Sequence, residues 1–189
     1  MKVIFNSLVF LLSLTVLTSC GGPKSIQSAT GAEEVSLPFS ESKYKTDKEN
    51  FRARQSGTSP DLATSKKIAL QNAKAQLAAD IKSVFKVVSS QYTNQRSVGN
   101  AQEYENKFEE QLINSLNETL TQVVILDEKT FKEKDGGYTS WVVVEKSKST
   151  IMDGASKKIS SESKLQLDYD KKKFEDIFNT EMEKLAKGQ

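Results

Sequence analysis

The chain has 189 residues, of which 37% are hydrophobic and 28% charged, with a net charge of +2; that fits one ordinary core plus tails. The charge excludes the basic stripe of a nucleic-acid binder, because the runs Lys66-Lys67 and Lys171-Lys172-Lys173 alternate with acids and read as solvated faces. Histidine is absent and Cys20 is the single cysteine, which removes His-based triads, His general bases, ordinary catalytic zinc sites and any intramolecular disulfide. No metal or cofactor is expected.

Residues 1–19 read as a secretory signal: Lys2 is the positive start, and Val3 to Leu17 is an apolar run too short to span a membrane comfortably. The segment ends in Leu17-Thr18-Ser19-Cys20. That tetrapeptide resembles the bacterial lipobox, which implies diacylation of Cys20 and stable anchoring without a spanning helix. The alternative is an ordinary signal peptide with a coincidental cysteine. In such lipoproteins an aspartate after the cysteine signals inner-membrane retention; here Gly21 follows, so the resemblance implies the outer membrane, facing the periplasm.

Residues 20–50 have the composition of a tether, reaching on the order of 30 Å as a flexible coil. Its one apolar knot, Val35-Ser36-Leu37-Pro38-Phe39, is expected to dock in extended form at a sheet edge, where proline is tolerated. From residue 51 to 189 a single domain is expected. Phe51 to Gln55 alternates as a half-buried strand, and Ser56-Gly57-Thr58-Ser59 should turn the chain. Ser59 as N-cap, Pro60 and Asp61 then open a long alanine-rich helix. Its buried stripe is Leu70, Ala73, Leu77, Ile81, Val84, Val88 and Tyr92, running toward a stop near Val98-Gly99. Ala69, Ala73 and Ala78 keep that face shallow, so another element can approach its backbone.

Asn100, with Glu103 at capping-box spacing, starts a second helix striped by Ala101, Tyr104, Phe108, Leu112 and Leu116. The run Val123-Val124-Ile125-Leu126 then reads as a strand apolar on both faces, continuing to Phe131. Asp135-Gly136-Gly137 turns it into a returning strand, Tyr138 to Lys146, whose Trp141 and Tyr138 are expected in the core. This hairpin is expected to face Leu77 and Ile81. Thr150 opens the last helical region, with Ile151, Met152, Ala155 and Ile159 as one patch. After a polar interlude, Ser160 to Lys164, comes a second stripe: Leu167, Phe174, Ile177, Phe178, Met182 and Leu185. The fold class is therefore α+β, a small three-stranded antiparallel sheet packed by the long helix, in the order β-α-α-β-β-α.

Several of these pieces occur in a characteristic order: Val35-Ser36-Leu37-Pro38, Phe51-Arg52-Ala53 before Gly57-Thr58-Ser59, alanine at 69 and 73 with Leu77-Ala78, and Trp141 to Glu145 after a glycine turn. Together with the lipobox they resemble the LPP-twenty type of small bacterial lipoprotein over about residues 35–150. The resemblance extends to the N-terminal domain of flagellar assembly protein T. It implies an α+β domain in the cell envelope and no catalytic residues, and the last forty residues depart from it.

Weaker signals are read as chance. Ser-x-x-Lys occurs at Ser42/Lys45, Ser83/Lys86 and Ser161/Lys164, without the further motifs that accompany it in serine acyl-enzymes. Glu109-Glu110 and Asp127-Glu128 could be imagined as a glycosidase pair but sit where a solvated helix face or strand edge is expected. Asn117-Glu118-Thr119 matches a glycosylation sequon. The expected function is a non-enzymatic lipoprotein that contacts the membrane through its anchor and binds or scaffolds envelope proteins. The alternatives are an accessory subunit of a motility or secretion machine and, least favoured, an envelope hydrolase. The ligand and oligomeric state stay open.

Overall fold

A computed structural model describes residues 35–95, 101–166 and 169–187. The signal segment 1–19, the lipobox with Cys20, and the tether up to residue 34 lie outside the described residues, as do Val98-Gly99, Asn100 and Leu167. The elements are β1 (Asn50–Ser59), α1 (Leu62–Asn94), α2 (Ala101–Thr119), β2 (Val124–Lys132), β3 (Tyr138–Ser147), α3 (Lys148–Ser161), α4 (Ser163–Gln166) and α5 (Lys171–Ala186). The sheet is antiparallel with strand order β1-β3-β2, so the fold is α+β as the periodicities indicate.

β1 does not turn at Ser56. It pairs with β3 without a break from Asn50↔Ser147 to Ser59↔Tyr138, and Gly57 is a strand residue facing the long helix. A Cβ at Gly57 would lie 2.4 Å from the backbone nitrogen of Ala69, so glycine and the small Ala69 together permit the contact. Because β1 continues to Ser59, α1 starts later than expected. Asp61 is the N-cap, its Oδ1 accepting from Thr64 N at 2.7 Å, while Ser59 Oγ accepts from Asp61 N.

The stripe of α1 is buried from Ala69 through Ala73, Leu77, Ile81, Val84, Val88 and Tyr92, with Phe85 beside it; Leu70 and Ala78 are only partly covered. Each fully buried Leu, Ile or Phe side chain contributes roughly 1.5–3 kcal/mol. Phe51 on β1 and Phe85 on α1 meet Phe178 of α5 at ring separations of 6.3 and 5.9 Å. Farther along α1, Tyr92 stacks on Phe108 of α2 at 4.7 Å. The C-terminal region thus packs on the domain. α3 is capped by Ser147 rather than Thr150, since Ser147 Oγ accepts from Thr150 N. The polar interlude is the break at Glu162 followed by the one-turn α4. Phe174, Ile177, Phe178 and Met182 of α5 are buried, but Leu185 is 39% exposed, so that stripe stops a turn early.

Three expectations about sides and edges are corrected. The compact unit begins at Leu37 rather than Phe51, because Phe39 and Tyr44 bury their rings together, 4.8 Å apart, against Val143 and Trp141. This arm lies on the face of the sheet opposite α1 and adds no strand to its edge. Phe39 holds φ at 61°, a left-handed conformation that a bulky residue keeps only where burial over-determines it. Trp141 and Tyr138 are not main-core residues. Val142 and Val144 are the β3 residues in the core beneath α1, whereas Trp141 packs beneath the arm and Tyr138 is half-buried. Finally, β2 is an exposed edge. β3 is taken on its other side by β1, and α1 packs on β1 and β3, leaving β2 uncovered.

Candidate binding surface

The run read as buried on both faces is the most exposed apolar stretch of the sheet. Val124 is 59% exposed, Ile125 47%, Leu126 40% and Phe131 46%. A register shift between Ile125 and Asp127 leaves Leu126 as the extra residue of a bulge. Past that bulge β2 runs regularly to its hairpin, where Glu133 N donates to Gly137 O at 2.8 Å and Gly136 takes a φ of 92°. Antiparallel alternation from that closing pair points the backbone N–H and C=O of Glu128, Thr130 and Lys132 away from β3. No hydrogen bond from another described residue reaches the outer backbone of Thr130 or Lys132.

The side chains on β2 hold the strand in place, and on its outer backbone, among the described residues, only Glu128 N is bonded, to Asp127 Oδ1 at 2.8 Å. Asp127 accepts from the Tyr44 hydroxyl at 2.5 Å, and that bond holds the Asp127 carboxyl below its ordinary pKa. Glu128 meets Lys66 of α1 at 2.7 Å, and both groups are exposed. Thr130 Oγ1 lies 2.9 Å from Ser140 Oγ, which is 2.8 Å from Ser65 Oγ on α1. This hydroxyl chain has no base within it, so it ties three elements together and activates nothing. Lys146 is buried and donates to Gln122 O at 2.7 Å; burial pulls its pKa down. It anchors the loop before β2 to β3.

The residues singled out for chemistry are not brought together. Ser42 and Lys45 are exposed on a short 3-10 turn, Ser83 and Lys86 on the outer face of α1; Ser161 is exposed at the end of α3, and the Lys164 side chain lies outside the described residues. Glu109 and Glu110 lie on α2, and Asp127 and Glu128 are separately engaged on β2. Asn117 is exposed near the end of α2. Among the described residues no cluster of three or more acidic or cysteine side chains could hold a metal, and no helix is long and apolar enough to cross a membrane.

Compared with protein-family models, with curated proteins and with solved structures, the chain finds no match in any of the three. Sequence reasoning set Asp127-Glu128 at a solvated strand edge but missed that the apolar run before them is exposed as well. The one available signal of that exposure was the charge of Asp127-Glu128-Lys129 directly after the apolar run, since charges are common on strands that face water.

Proposed function

We propose that the chain is a non-enzymatic cell-envelope lipoprotein, anchored through diacylated Cys20, whose domain binds an envelope protein along β2. The anchoring half rests on Leu17-Thr18-Ser19-Cys20 after an apolar segment, and on the resemblance to LPP-twenty type lipoproteins. Gly21 favours the outer membrane, facing the periplasm. The binding half is carried by one observation: β2 is an edge strand with four large apolar side chains exposed and, past the bulge at Leu126, the outer backbone of Thr130 and Lys132 unclaimed among the described residues. Such an edge accepts an extended segment of a partner as an added strand, with backbone bonds for affinity and alternate side chains for specificity.

In two registers charge opposes a second copy of the chain as the partner. Pairing β2 with itself about Glu128 sets Glu128 against Glu128. Pairing about Thr130 sets Asp127 against Glu133. Like charges directly opposite each other destabilise a strand pair. A partner strand with apolar residues for Ile125 and Phe131 and a basic residue opposite Glu128 avoids both conflicts.

A photoreactive amino acid at position 125, in cells, tests the binding half. It should give an adduct of one defined mass that is absent when the probe is at the exposed Val87 of α1, and that Lys132→Pro weakens. Equal labelling at both positions, or none at 125, would overturn the reading. A stoichiometric multi-protein adduct would instead identify the partner as a larger envelope machine. Cys20→Ala tests the anchor separately: the protein should move to the soluble fraction, and retention in the membrane pellet would refute the tether.

A further inference from the structure

The opposite edge of the sheet is bonded from outside at Asn50, Arg52 and Ser56. Asn50 N donates to Asp47 Oδ1 at 2.8 Å, and its carbonyl accepts from Asp47 N at 3.0 Å. Arg52 N donates to Thr46 Oγ1 at 3.0 Å, and that hydroxyl donates back to Arg52 O at 3.1 Å. The carbonyl of Ser56 accepts from Asn72 Nδ2 of α1 at 2.9 Å. Arg54 lies between the last two, also facing outward by alternation, and no described residue bonds its backbone N–H or C=O from outside.

This gap opens into a cleft of about 490 Å³ bounded by Phe39 and Ser40 of the arm, by β1, and by Gln76 and Asp80 of α1. A volume of that order suits a small ligand. Its charges are uneven. Arg52 is neutralised by Asp47 and Glu145, each at 2.6 Å. Arg54 meets only neutral groups, Pro38 O at 3.0 Å and Ser40 Oγ at 3.2 Å, and stands 6.0 Å over the Trp141 ring. Asp80 receives only the Gln76 amide, at 2.8 Å; burial raises its carboxyl pKa, and that hydrogen bond opposes the rise. Among the described residues lining the cleft, then, Arg54 and Lys45 have no carboxylate partner and the half-buried Asp80 has no cation.

An added strand brings one residue directly opposite Arg54, with its side chain on the face Arg54 occupies. The residues on either side of it point to the α1 face, where Asp80 sits. The bonded positions Arg52 and Ser56 limit its length. They are separated by roughly 13 Å at about 3.3 Å per residue, which leaves room for about three residues. We propose that this cleft binds a short extended peptide, with an acidic residue paired to Arg54 and a basic neighbour facing Asp80. The site is distinct from β2, and its test does not depend on the partner proposed there.

The full chain titrated with acetyl-Lys-Glu-Lys-amide, followed by calorimetry and by emission of the single tryptophan beneath Arg54, tests it. Saturable binding with a change in Trp141 emission is expected, with at least tenfold weaker binding of acetyl-Lys-Gln-Lys-amide and none of acetyl-Ala-Ala-Ala-amide. Because the Glu-to-Gln change is in the peptide, it reads the Arg54 contact on unaltered protein. Asp80→Asn should weaken the Lys-Glu-Lys peptide about tenfold and leave acetyl-Ala-Glu-Ala-amide unchanged. No saturable binding, equal binding of the three peptides, or a loss in Asp80→Asn that ignores the peptide's lysines would overturn the proposal.

Discussion

The two edges of this sheet are treated in opposite ways. β1 has its outer backbone bonded by Asp47, Thr46 and Asn72, and its inner residues Phe51 and Ala53 lie in the core beneath α1. β2 has Val124, Ile125, Leu126 and Phe131 turned to solvent, and Thr130 and Lys132 have no outer partner among the described residues. An exposed, apolar edge is a hazard that folded proteins ordinarily cover or charge. That one edge of the same small sheet is bonded from outside at Asn50, Arg52 and Ser56, while Thr130 and Lys132 on the other are not, supports the proposal of a partner at β2. The comparison also assigns core burial to β1 and solvent exposure to β2.

Substitution of matched aromatic residues tests that assignment most sharply. Phe51→Ala, in the core, should cost about 3–5 kcal/mol, whereas Phe131→Ala on the open edge should cost below about 1 kcal/mol. Urea unfolding measures both, and a comparable loss at the two sites would erase the contrast. Next in size, Gly57→Ala drives a Cβ against the Ala69 backbone and should destabilise by about 1–3 kcal/mol. A neutral result there would mean that the helix does not press on β1.

Thr46→Val keeps the shape of the side chain while removing the hydroxyl that serves both backbone groups of Arg52. It should cost about 1 kcal/mol in the same unfolding measurement.

The Asp47 carboxyl that helps hold this edge has a pH signature. Burial alone would raise its pKa, but donors from the Glu49 backbone, Arg52 and the Asn50 backbone outweigh that and lower it below 3.8. A carboxyl depressed in the folded state contributes stability above its unfolded pKa, and the contribution is lost as pH falls through the folded value. The urea midpoint should therefore drop on acidification below about pH 4, and Asp47→Asn should show a shallower drop; parallel curves would remove Asp47 from the account. The smallest effect is expected on the open side. Lys66→Ala breaks only an exposed pair with Glu128 and should lie within about 0.5 kcal/mol of wild type.

What the sequence determined by itself was whatever depends on near neighbours. The stripe from Ala73 to Tyr92, the stripe from Tyr104 to Leu116, the glycine turn at 135–137 and the order of elements follow from local periodicity and turn chemistry, which hold in any tertiary setting. Tertiary structure decided sides and edges. The letters Val123-Val124-Ile125-Leu126 suit a buried centre or an open edge equally, and the choice fell when β1, far from β3 along the chain, paired with it from Asn50↔Ser147 to Ser59↔Tyr138. The same pairing carried β1 through Gly57 to Ser59 and passed the cap of α1 to Asp61, a residue as competent in that role as Ser59. Thr46 and Asn72 look like ordinary polar residues in the sequence, and each becomes the closure of an edge only because folding sets it beside Arg52 or Ser56. Strand order is a non-local quantity: it is fixed by which surfaces the long helix can bury together, and no window of neighbouring residues contains that information.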